Sequence, residues 1–154
     1  MRLRSALGVL ATIALGLSAG AMLTEATVLV GYWRSLPPEE FLAWFRRYEP
    51  TLVAFYGTLE VVALVASFLA LFGYAFPKRH GFGEMALAAA LSIVVLALYL
   101  VYFEQVNAAF VAGAILPEQV APELERWSRW QWLRTAVGTS AFAMAASALR
   151  RGAA

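Results

Sequence analysis

Cysteine and aspartate are absent from this 154-residue chain, and histidine and lysine occur once each, as His80 and Lys78. Without cysteine there is no disulfide framework, no thiolate metal site and no cysteine nucleophile, and redox compartment cannot be inferred. His80 falls in a loop away from every other candidate residue, so haem ligation by histidine and the Glu-x-x-His di-iron pattern are both unsupported. The acids are ten Glu and the bases eleven Arg with the one Lys, a bias that accompanies GC-rich or heat-adapted genomes. No phosphate-binding glycine loop is present, and Gly16-x-x-x-Gly20 reads as close helix packing. Charge is scarce throughout. Only 14% of residues are charged and 62% are hydrophobic, against roughly 25% and 45–50% in an average soluble domain. A soluble fold of this length could not hide so much apolar surface, so residues 1–154 read as one membrane domain. The net charge of +2 does not imply nucleic acid, because the bases sit at helix ends and form no stripe.

Four apolar segments, at about 7–32, 51–76, 84–110 and 125–149, each reach the roughly 20 residues needed to cross hydrocarbon. The expected fold class is therefore all-α, a bundle of four transmembrane helices. Arg2 and Arg4 before an apolar stretch and Ala19-Gly20-Ala21 imitate a secretory signal, but the apolar run exceeds the roughly 7–15 residues of a signal and reads as the first span. Between the first two spans, Pro37-Pro38-Glu39-Glu40 suits a helix start. Phe41, Leu42, Trp44, Phe45 and Tyr48 then alternate with Arg46, Arg47 and Glu49, which predicts a short amphipathic helix in the extracytoplasmic interface. The second span is expected to stop at Pro77-Lys78-Arg79-His80-Gly81.

Arg2, Arg4, Lys78, Arg79, Arg150 and Arg151 fall on one side, opposed there only by Glu84. The other side balances five Arg with six Glu. The positive-inside rule then puts both termini and the 77–81 loop in the cytoplasm of an inner, cell-membrane protein.

Each span keeps a residue that is costly in hydrocarbon, and such residues usually face the bundle interior. These are Glu25 in the first, Glu60 in the second, Glu104 with Asn107 in the third, and Arg134 in the fourth. Given the topology and a rise of about 1.5 Å per residue, all four levels fall in the outer half of the membrane, so the groups are expected to meet. Three carboxylates around one guanidinium cannot all be ionised cheaply in a dry interior. Arg134 is expected to hold at least one Glu through a bidentate bond while another carries a proton. The plain alternative is that these residues only glue helices together. Aromatics surround the same level, and Tyr56 with Glu60, and Trp130 with Arg134, share helix faces at four-residue spacing. An interfacial aromatic belt explains most of this. The functional alternative is a hydrophobic aromatic or quinone-like molecule that reaches them sideways from the lipid bilayer. Three glutamates with Asn107 could hold a hard cation, but Arg134 competes for the carboxylates, so no metal and no cofactor is expected.

Tyr102-Phe103-Glu104-Gln105-Val106-Asn107-Ala108-Ala109-Phe110, and then Leu124 through Thr135 with Trp127, Trp130, Trp132 and Arg134, resemble the anthrone-oxygenase-like family of small four-helix membrane proteins. The likeness extends loosely to Gly20-Ala21 through Leu36-Pro37. It implies an oxygenase that acts on polycyclic aromatic substrates without metal or flavin, and it points to Asn107, Trp127, Trp130 and Arg134. Relatives often carry histidine where this chain has Gln131, which leaves a glutamate as the base.

Three functions follow. An oxygenase-like or hydrophobic-ligand-binding protein would use Glu60 or Glu104 as proton acceptor and Arg134 with Asn107 as oxyanion partners, with Glu25, Tyr56, Trp127, Trp130 and Gln131 lining the pocket. A structural or accessory protein would dock a membrane partner through its outer aromatics. A small proton-coupled transporter would use an embedded glutamate, but such carriers are dual-topology or weakly biased dimers, whereas the bases here are one-sided. Assembly as a homo-oligomer is left open by the sequence.

Overall fold

A computed structural model describes residues 2–75 and 80–153, with side chains over 5–75 and 80–152. Pro77, Lys78 and Arg79, and the side chains of Arg2 and Arg4, lie outside the described residues, and with them part of the expected basic side. Among the described residues the chain is all-helical. Helix α1 runs over 2–35, as Arg2–Thr24, a π-helical turn at Glu25–Leu29, and Val30–Ser35. Helix α2 is Pro38–Ala75. Helix α3 covers Phe82–Ala112, with a second π turn at Tyr99–Phe103, and α4 is Pro117–Ala153. Helices α1, α2 and α3 are long and apolar enough to cross a membrane. Their outer faces carry Leu10, Leu17, Val28, Phe72 and Val101 at half exposure or more, a surface suited to lipid and not to water.

The four helices alternate in direction. Each packs against two neighbours, in the circular order α1, α2, α3, α4. Gly81, at φ +90°, makes the turn into α3 so close to α4 that a Cβ there would lie 2.6 Å from the Ala148 carbonyl. Arg151 at the end of α4 bonds Glu84 at the start of α3 at 2.8 Å, so the end of α4 and the 80–84 turn share one end of the bundle. At the opposite end α3 closes in a Schellman motif, with Ala114 N–H donating to Ala109 O and Gly113 at φ +71°. The Arg46 side chain donates to Val111 O there (2.9 Å), bringing positive charge to the negative end of α3.

The core has two tiers of different texture. Near the termini it is built of small residues, Ala11, Ala63, Ala70, Ala88, Ala141, Ala145 and Ala148, which let backbones approach closely. Toward the other end it turns aromatic, with Trp33, Phe41, Phe45, Phe103, Phe110 and Trp127 meeting edge to face.

The short amphipathic helix expected between the first two spans is not separate: it is continuous with the second span. Pro50 removes one backbone N–H from α2 without ending it, and Phe41 and Phe45 anchor this first stretch in the aromatic tier. All four helices are longer than the apolar segments, because polar residues extend them: α2 has 38 residues, about 57 Å of helix, against roughly 30 Å of hydrocarbon.

Candidate functional site

A polar layer lies between the two tiers. On α4, Leu124, Trp127, Gln131, Arg134, Thr135, Gly138 and Ala141 form the inward stripe at three- and four-residue steps. Arg134 is 3% exposed and pairs with Glu60 of α2, which is 7% exposed. The contact joins Nη2 to Oε1 alone, so the expected bidentate pair is not formed. Geometry explains it: Nη1 turns to the Gln131 Oε1 at 3.4 Å, and the guanidinium lies over the Phe103 and Tyr99 rings at 4.9 and 5.6 Å. The Arg134 Nε is buried and has no hydrogen-bond partner.

Gln131, fully buried, is the hub of this layer. Its amide nitrogen donates to Glu25 Oε2 at 2.9 Å and to Met22 O at 3.1 Å, while its oxygen accepts from Arg134. Thr135 donates to Gln131 O (2.8 Å) and to Met22 O (3.3 Å), fixing α4 against α1. Glu25, Gln131, Arg134 and Glu60 thus form one chain of contacts across α1, α4 and α2. Higher up, Trp127 Nε1 donates to Asn107 Oδ1 at 3.1 Å, joining α4 to α3.

Glu25, Glu60, Arg134, Asn107 and Trp127 border a cavity of about 100 Å³. Its long wall is a stripe of α2, Phe45, Glu49, Leu52, Val53, Tyr56, Gly57, Glu60 and Val61, which covers about 24 Å of helix. Facing it are Leu96, Tyr99, Phe103 and Asn107 of α3, with Glu25, Trp127 and Arg134 behind. The slot therefore lies between α2 and α3. Val53 and Val61 on its rim are exposed, so the rim is apolar.

Glu25, Glu60, Arg134, Tyr56, Asn107 and Trp127 thus come together around one cavity, and Gln131 supports it from behind. Two other candidates stand elsewhere. Glu104 is exposed on the outer side of α3, because the π turn before it advances the helix register so that Phe103, Asn107 and Phe110 face inward. Trp130 is rotated off the α4 stripe and stacks on Tyr102 at 5.0 Å, where Tyr102 donates to Glu123 at 2.7 Å. Glu49, Tyr99, Phe45 and Gly57 line the slot although the sequence reading did not single them out for it. The three- and four-residue recurrence through 45, 49, 52, 53, 56, 57 and 60 was a visible signal for the α2 members. Tyr99 had none, because its placement depends on the π turn. Among the described residues no group of three or more His, Asp or Glu is arranged to hold a metal ion.

Comparison of the chain with protein-family models, with curated proteins and with solved structures finds no match.

Proposed function

We propose that this chain is a multi-pass inner-membrane protein that binds a hydrophobic small molecule in the slot between α2 and α3. The observation that carries this reading is the slot itself: an apolar rim leading to Arg134, Glu60, Glu25 and Asn107. A ligand pocket of this kind combines mostly apolar walls with a few polar groups that fix orientation. Helix glue alone would close around such groups and leave no space beside them.

In this reading α4 is the fourth crossing. Its mean hydropathy is lowered by Gln131, Arg134 and Thr135, all of which point inward, while Trp132, Leu133 and Phe142 face outward. The one-sided bases favour cytoplasmic termini, with the aromatic tier and the start of α2 toward the outer interface. The cysteine-free sequence makes this directly testable. A cysteine at Ser35 should react with an impermeant maleimide in intact cells, and one at Gly152 only after lysis; the reverse pattern would refute the orientation.

The likeness of the third and fourth helices to the anthrone-oxygenase-like family fits the same slot, with catalysis on an aromatic ligand as its active form. Of the two glutamates expected as proton acceptors, Glu60 lies at the slot and Glu104 does not, so Glu60 is the residue on which such turnover would depend. The test of the binding reading is mass spectrometry of small molecules extracted from protein purified in native lipid. One hydrophobic species at near-stoichiometric amounts is expected. Recovery of bulk lipid alone, in the proportions of the surrounding membrane, would overturn it.

A further inference from the structure

The buried atom at the slot that lacks a hydrogen-bond partner is a donor. Arg134, which lines the slot, gives Nη2 to Glu60 and Nη1 to Gln131, and its guanidinium lies over the Phe103 and Tyr99 rings. Nε is the nitrogen left over, buried and without an acceptor. An unmade hydrogen bond from a charged group is costly, the more so where the dielectric is low. Asn107 adds a second donor. Trp127 Nε1 can only donate, so its bond to Asn107 holds the amide oxygen, and the NH2 group is what Asn107 has left to offer the slot it lines.

Charge limits what these donors can take. Glu25, Glu49 and Glu60 line the same slot, against Arg134 as the one cationic side chain among the lining residues. A carboxylate or phosphate brought to Nε would add a fourth acidic group to a confined space, and like charges oppose one another there. An ammonium would bring no acceptor. The complement of the slot is therefore an uncharged oxygen acceptor. A carbonyl oxygen meets that need with two lone pairs and no proton that must find an acceptor in turn.

The shape sets the rest of the molecule. Glu60, paired with Arg134, and Glu49 are 11 residues apart on α2, about 16 Å, and a cavity of about 100 Å³ spread over such a length is narrow. The wall between them is Leu52, Val53, Tyr56 and Gly57, which presents mostly apolar surface. Resting on the binding reading above, we propose that the occupant is a slender, uncharged lipophilic carbonyl compound, whose oxygen accepts from Arg134 Nε and whose apolar body lies along α2 past Tyr56 and Leu52.

The test compares methyl undecyl ketone, tridecane and tridecanoic acid, loaded at equal mole fraction into lipid nanodiscs holding the full chain, with occupancy read by native mass spectrometry. Expected is ketone occupancy about tenfold or more above that of tridecane, the strength of one hydrogen bond to a charged donor, with the acid below the ketone. Infrared spectra of ketone isotope-labelled at the carbonyl need no variant: its stretch should lie below the value in nanodiscs without protein. Arg134→Lys keeps a charge for Glu60 but has no N–H at the Nε position, and should bring the ketone toward tridecane. Gly57→Phe, which fills the slot, should remove both. If ketone and tridecane bind alike and the stretch is unmoved, or a folded Arg134→Lys keeps the full preference, the assignment to Nε fails and the hydrophobic-ligand reading stands. An acid that outbinds the ketone would make the acceptor an anion and overturn the proposal. If nothing binds, or binding survives Gly57→Phe, the binding reading falls and takes this inference with it.

Discussion

Separating Arg134 from Glu60 should be among the most damaging changes available to this bundle. Their side chains are only 4% and 5% exposed, so removal of either leaves the other charge buried. Two unit charges about 4 Å apart at an effective dielectric near 20 attract by about 4 kcal/mol, and breaking a buried pair from one side typically costs about 3–5 kcal/mol. Polar contacts between membrane helices average only about 0.6 kcal/mol, so the two accounts differ several-fold. The experiment is a double-mutant cycle of Arg134→Met, Glu60→Met and the pair, unfolded by denaturing detergent in bicelles. Each single variant should lose about 3 kcal/mol or more, and the double variant should lose less than the sum, with a coupling of about 2 kcal/mol or more. Additive losses below about 1 kcal/mol each would refute the reasoning, and the pair would then be ordinary helix glue.

Other changes separate the slot from its surroundings. Gly57 lines the slot and a Cβ there meets nothing within 4 Å, so Gly57→Phe should fill the space and abolish ligand recovery with little effect on the unfolding midpoint. Loss of folding instead would show that the space is not free. Glu104→Gln, on the exposed side of α3, should change stability by no more than about 0.5 kcal/mol and leave ligand recovery intact. A large effect on either would return Glu104 to the polar cluster.

Much of the fold was legible because the spans are long apolar runs and their polar residues are few. The reasoning that costly groups turn inward held for Glu25, Glu60 and Arg134, and the estimate of common depth brought them to one level. It failed for Glu104, since depth along a helix says nothing about direction around it, and the π turn at Tyr99–Phe103 changes that direction. The start of α2 reads as a separate amphipathic helix because Phe41 through Glu49 mix aromatic with charged residues, whereas the helix runs on through Pro50, whose one lost hydrogen bond packing on either side can outweigh. Gln131 was singled out only through a resemblance. Its role as the link between Glu25 and Arg134 depends on three helices meeting, which no local pattern encodes.

The π turns at Glu25–Leu29 and Tyr99–Phe103 each hold one residue more than an α-helical turn would. Between Val95 and Phe103 the inward stripe takes eight residues over two turns, where about seven would do in a plain helix. Chain length there is consequently as constrained as chemistry. Loss of one residue from either turn would leave composition and hydropathy almost untouched, yet would rotate everything beyond it by about 100° and carry Trp33, or Asn107 and Phe110, off the inward face. Descendants of this sequence can exchange many apolar residues for one another, but they cannot readily change the count between Met22 and Trp33 or between Val95 and Asn107.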